Sequence, residues 1–190
     1  MSTMYSVGQM NQLADALETA GFVPDDVTKL RSFPGLREIK KILAGFAEIV
    51  TIKHLIDCDA DPYLPKGWKK VVSHKKGGML EWNPAKVYLH LSLNQQNGKT
   101  IQGHNLRKEL ENEPVLNANV LDYLLAHPEL ILEEWKGKYI FFWGTIYRGS
   151  GGRLYVRYLR WGGGAWNWGY NWLDDSWDSY YPVACSQVSS

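Results

Sequence analysis

The chain has 190 residues and only two cysteines, Cys58 and Cys185. That is too few for a disulfide framework, although one bridge between them stays open. No apolar run approaches the roughly 20 residues that a membrane-spanning helix needs. The N-terminal stretch lacks the basic segment and apolar core of a secretion signal, so a cytoplasmic protein is expected. Charge of one sign is also missing: 21 basic and 20 acidic side chains leave a formal charge of +1. Residues 1–56 and 57–138 each sum to zero. A basic footprint for duplex nucleic acid is therefore absent. The single basic run, Lys66, Lys69, Lys70, His74, Lys75 and Lys76, reads as a solvated loop.

Catalytic signatures are missing too. There is no G-x-S-x-G elbow, Walker loop or dinucleotide fingerprint. His54, His74, His90, His104 and His127 show no zinc spacing. Asp57, Asp59 and Asp61 resemble the start of a calcium loop, but position six is Pro62 and position twelve is Trp68. An Asx-rich turn is the better reading of that run. Asp174 and Asp175 would point to opposite faces of a strand. The residues predict neither an enzyme, a metal site nor a cofactor.

Aromatic side chains are what the chain has in excess. Tyr139 to Tyr181 spans 43 residues and holds 15 of them: six Trp, seven Tyr and two Phe. Ahead of this window, periodicity predicts a helix over 9–20 ending at Gly21, and further helices opened by Pro24 and Pro34. Ile49 to Ile56 reads as a strand, and 57–65 as a boundary, giving a helical subdomain over 1–60 and a larger domain over 61–190. In the larger domain 86–93 alternates as a strand and Asn97-Gly98 marks a turn. Helices follow near 104–112 and 117–126, the second capped by Asn117 or Asn119. Strands are expected over 139–147, 154–161, 165–173 and 181–185, joined by glycine-rich turns into an antiparallel meander. The fold class is α+β, with helices segregated from the sheet.

Alternation within Ala165–Leu173 sends Trp166, Trp168, Tyr170 and Trp172 to one face and Asn167, Gly169 and Asn171 to the other. The first face is the candidate core, because burying several Trp contributes much to a small sheet. Most tryptophans of the window are then expected to be buried, and the tyrosines after Trp168 more exposed. The interleaved Gly, Asn, Tyr, Asp and Ser are the vocabulary of binding surfaces. After Lys138 all positive charge lies on Arg148, Arg153, Arg157 and Arg160, and arginine is favoured at interfaces and against aromatic rings.

The segment Pro114–Trp161 and the ending up to Ala184 resemble a family of bacterial proteins of unassigned activity from small, metagenome-derived genomes. The shared framework is W-x4-W-x-W-x3-W-L with a later aromatic and proline: here Trp161, Trp166, Trp168, Trp172, Leu173, Trp177 and Pro182. The resemblance runs from about Gly21 to Ala184 and is most specific over 114–182. The ending, 158–185, is also similar to the variable region of diversity-generating retroelement target proteins. There, error-prone copying at adenines scatters Asn codons into Tyr, Asp, Ser and Gly, while Trp is not reachable. Such targets mostly use a C-type lectin-like fold, whose order of strand, two helices and antiparallel strands fits 86–185. The calcium-lectin triplets Glu-Pro-Asn and Trp-Asn-Asp are absent, since Trp166-Asn167 is followed by Trp168, so calcium-dependent sugar binding is not implied.

The resulting expectation is a non-enzymatic ligand-binding protein without a cofactor. Its candidate contacts are Tyr158, Arg160, Asn167, Gly169, Tyr170, Asn171, Asp175, Ser176, Asp178, Ser179, Tyr180 and Tyr181, with the Trp framework as scaffold. The expected ligand is a macromolecule, a protein ahead of a carbohydrate. The alternative is a fixed carbohydrate- or peptide-binding module in which the Trp face itself is the site. A dispersed enzyme site and a structural protein of a virus or cell surface stay open.

Overall fold

The computed structural model describes residues 4–48, 50 and 52–187. The chain divides into two compact units, Met1–Ile52 and Lys53–Ser190. The first consists of α1 (Val7–Thr19), α2 (Pro24–Leu30) and α3 (Leu36–Leu43). Ser6 and Gln9 form a capping box at the start of α1, each side chain accepting the other's backbone N–H. Gly21, at φ 84°, lets the chain leave α1. Asp26 accepts the Val23 N–H, which holds its carboxyl below the usual carboxylate range. None of the described residues of this unit is buried. Its apolar stripes, Met10 and Leu13 among them, are exposed.

The second unit opens with β1 (Leu55–Asp57), which pairs antiparallel with β3 (Met79–Glu81) around β2 (Trp68–His74). Of the strand expected over Ile49–Ile56, Ile49 and Thr51 lie outside the described residues, and the strand itself starts at Leu55. The Asp57–Asp61 run is a turn whose carboxylates serve the backbone. Asp57 accepts the N–H groups of Asp59 and Ala60, and Asp59 those of Gly77 and Gly78.

Next come β4 (Val87–His90), β5 (Ile101–Gln102), α4 (Gly103–Glu109) and α5 (Ala118–Ala126). Asn117 caps α5 by accepting from the Asn119 N–H. The remainder is β6 (Ile140–Phe141), β7 (Thr145–Gly149), β8 (Leu154–Gly162), β9 (Ala165–Trp172), β10 (Ser176–Trp177) and β11 (Val183–Ser186). The fold is mixed α+β.

The single strand expected over 139–147 is two strands. Phe141 lies opposite Tyr158 and Tyr147 opposite Tyr155, so six steps along one side answer three along the other. The surplus bulges out at Trp143-Gly144, where the main chain passes against Asn117. A Cβ on Gly144 would lie 2.8 Å from the Asn117 Cα.

The meander is likewise only partial. β7, β8 and β9 follow one another antiparallel, but β11 does not close beside β9. It runs parallel to β6 and antiparallel to β4, giving the order β2-β7-β8-β6-β11-β4 with β9 on the other edge of β8. The reason is the segment between β9 and β11, which buries Leu173 and Trp177 and pairs β10 with β5 before re-entering the sheet.

Period-two sorting divides the core into two layers. Ile140, Phe142, Leu159 and Ala184 pack with Val120, Leu121 and Leu124 of α5. Phe141, Val156, Val183 and Cys185 pack with Leu106, Leu110, Leu173 and Trp177. The two helices therefore cover opposite faces of the sheet. Cys58 and Cys185 fall in different layers as free, buried thiols. Burial pushes Cys58 up to about 11 and Cys185 up to about 12, which favours the neutral thiol at both.

Candidate functional site

β8 and β9 form a long hairpin, in register from Tyr155 opposite Trp172 to Gly162 opposite Ala165. Gly163 and Gly164 turn it at φ 65° and 79°, the backbone that a two-residue hairpin loop requires. Paired residues share a face. Tyr155, Arg157, Leu159 and Trp161 therefore stand with Trp172, Tyr170, Trp168 and Trp166, on the side that carries α5. Val156, Tyr158 and Arg160 stand with Asn171, Gly169 and Asn167 on the other.

The aromatic face is only partly covered. Leu159 and the half-buried Trp166 pack with α5. Beyond them Trp161, Trp168, Tyr170 and Trp172 remain 36 to 48% exposed. This overturns the expectation that most tryptophans of the window are buried: of its six, only Trp143 and Trp177 are. The alternation placed the side chains on one face correctly. However, β9 is an edge strand, with a neighbour on one side only.

Cations sit against this row. The Lys136 Nζ lies 4.0 Å from the Trp161 ring centre, and the guanidinium carbons of Arg157 and Arg153 lie 4.4 Å from Trp168 and Trp172. Trp68 of β2 extends the row, with ring centres 4.9 to 5.2 Å from Tyr147, Tyr155 and Tyr170.

Arg157 is buried beneath Trp168 and forms two bonds to Asp122 of α5, at 2.9 and 2.6 Å. Burial works against its charge, but the Asp122 carboxylate more than offsets this and holds the guanidinium protonated. The pair ties the hairpin to the helix.

On the polar face Tyr158 lies across Gly169, where a Cβ would come 2.5 Å from the phenol oxygen. Tyr158 also packs edge-on to Tyr139, and Tyr139 to Tyr181. Burial raises the Tyr158 phenol, and burial followed by the Asp178 and Asp175 carboxylates raises Tyr181. Both remain hydroxyl donors. The loop after β10 is held by Gln95, which is fully buried. Its Nε2 donates to the main-chain carbonyls of Asp178 and Tyr181 at 2.9 and 3.2 Å.

The structure places the expected contacts in three groups. Tyr158, Arg160, Asn167, Gly169 and Asn171 share the polar face. Asp175, Ser176, Asp178, Ser179, Tyr180 and Tyr181 lie on the loop around β10, beside Tyr158 through Tyr139. Tyr170 instead stands in the Trp row. Among the scaffold residues Leu173, Trp177 and Pro182 are buried, whereas Trp161, Trp168 and Trp172 are not. Asn167 and Asn171 are bound locally: Asn167 donates to the Gly162 and Ala165 carbonyls, and Asn171 accepts from the Trp172 N–H.

Sequence reasoning missed Trp68, Gln95 and the buried pairing of Arg157. Arg157 was reachable by extending the parity of β9 across the hairpin. Trp68 and Gln95 arrive through pairings that no local pattern announces. Among the described residues no three His, Cys, Asp or Glu side chains gather as metal ligands, and no helix is long and apolar enough to cross a membrane. The chain matches no family model, no curated protein and no solved structure.

Proposed function

We propose that this is a non-enzymatic binding protein whose ligand meets the β8–β9 hairpin and the loop over 174–181. The observation that carries the proposal is the uncovered row of Trp161, Trp168, Tyr170 and Trp172 beside a polar, Tyr-bearing face on the same two strands. Large rings left open to water on a rigid strand pair favour a contact surface.

The second unit is proposed to be a C-type lectin-like display domain of the kind diversified by retroelements. Its supports are the framework spacing and the pairing of β4 with β11, which brings the two ends of 87–186 together around α4, α5 and the remaining strands. In this reading the Trp row gives a constant contact, and the Asn, Tyr, Asp, Ser and Gly positions give the specificity. The test is the gene in its neighbourhood. A reverse transcriptase gene and an imperfect repeat of the codons for 158–181, differing at adenines, are expected. Absence of both would remove diversification.

A second reading, a fixed carbohydrate- or peptide-binding module on the aromatic face, is favoured by the exposure of the same rings. Screening a glycan and peptide array with the wild type and with Trp168→Ala/Trp172→Ala separates the two. If the fixed face is the site, the double variant loses every hit while keeping its fold. If the polar face decides the ligand, substitutions at Tyr180 and Asn171 change the hits instead.

A further inference from the structure

Away from the hairpin, a cleft of about 560 Å³ opens between the end of β2, α4 and the Trp143-Gly144 bulge. This volume is ordinary for a small-molecule site. Its charge is one-sided. Lys75, Arg107 and Lys108 line it, against the single carboxylate of Glu111, with His74 and His104 alongside. Positions 104, 107 and 108 fall on one face of α4, so the helix delivers these side chains together.

Five lysines and arginines elsewhere are paired with carboxylates, among them Lys53 with Glu81 and Arg157 with Asp122. Among the described residues, none of those in the cleft is. Arg107 meets only the neutral Ser73 hydroxyl, at 3.3 Å, and Lys75 the Glu113 carbonyl, at 2.5 Å. The Lys108 side chain has no hydrogen bond or ion pair among the described residues. His104 does have an acid, Asp174, at 3.0 Å.

The apolar part of the lining comes from Leu110, Val115, Trp143 and Ile146. Trp143 is 5% exposed, and its indole Nε1 has no hydrogen-bond partner. A buried donor without an acceptor is costly, and it leaves the indole N–H sensitive to what occupies the cleft beside it.

We infer that this cleft binds a small organic anion: an apolar, planar body against Trp143 and Ile146, with a carboxylate or phosphate group on Arg107 and Lys108. The bidentate geometry of the guanidinium suits either oxyanion. The site is independent of the hairpin proposed above.

The experiment is a nuclear magnetic resonance titration of the full chain with phenyl phosphate, benzoate and inorganic phosphate. The indole N–H signal of Trp143 is assigned with Trp143→Phe. At least one aryl anion is expected to shift that signal saturably, and the stronger of the two names the anionic group. Affinity should fall at least tenfold in Arg107→Gln and in Lys108→Gln; the latter replaces an exposed side chain and leaves the fold intact. Asn167→Ala should bind as the wild type does. No saturable shift with either aryl anion, or unchanged affinity in Lys108→Gln, would overturn the inference. Equal binding of inorganic phosphate and phenyl phosphate would overturn the apolar half of the site.

Discussion

Trp172 and Trp177 are five residues apart and belong to the same sequence framework, yet one is 41% exposed and the other fully buried. Trp172 ends β9, which has a neighbour on one edge only. Trp177 lies in β10 beneath the sheet, with its ring against Phe141, Trp143 and Tyr181 and its indole N–H donated to the Trp172 carbonyl. The difference teaches that alternation specifies the side of a strand on which a ring stands. Whether that side is covered depends on elements distant in sequence.

The largest effect should come from Trp177→Ala. Emptying its site removes the contacts among four rings and should cost about 4 kcal/mol in urea denaturation. Trp172→Ala, on the exposed side of the comparison, should cost no more than about 1 kcal/mol. Equal losses at the two positions would break the distinction between scaffold and surface.

Asp122→Ala comes next. It leaves the Arg157 guanidinium buried without its carboxylate and should cost about 3 kcal/mol, the lower end of the range for broken buried pairs. The lower end applies because the Asp122 side chain is 31% open to water. Calorimetry that found the variant as stable as the wild type would mean that the hairpin does not depend on α5. Gly169→Ala should cost less than Asp122→Ala, about 1 kcal/mol, because the Tyr158 ring can shift at its outer end. Its signature would be a displaced Tyr158 signal, and an unmoved ring would refute the close approach.

Much of the local structure was legible. Gly21, Pro24, Asn117, the Asn97-Gly98 turn and the Gly163-Gly164 turn punctuate the chain by backbone preference alone, and each marks a real boundary. What failed was long-range. The split of the 139–147 strand depends on Asn117 crowding Gly144, and the placement of β11 beside β6 depends on Trp177 seeking cover under the sheet. The exposure of Trp168 depends on there being no strand paired beyond β9. None of these is a property of the residues around the site, so periodicity could not supply them.

Gln95 grips the loop over 178–181 by its carbonyls, which every residue possesses, while the Asp178 carboxylate and the Tyr181 ring hold its two ends. Identity at the two positions between them is thus decoupled from anchorage. Ser179 and Tyr180 point outward on a segment whose path is fixed by a buried amide. A library randomised at these two positions should keep nearly all of its members folded. The same loop with Gln95→Ala should lose that tolerance, because the sequence of the loop would then have to hold its shape.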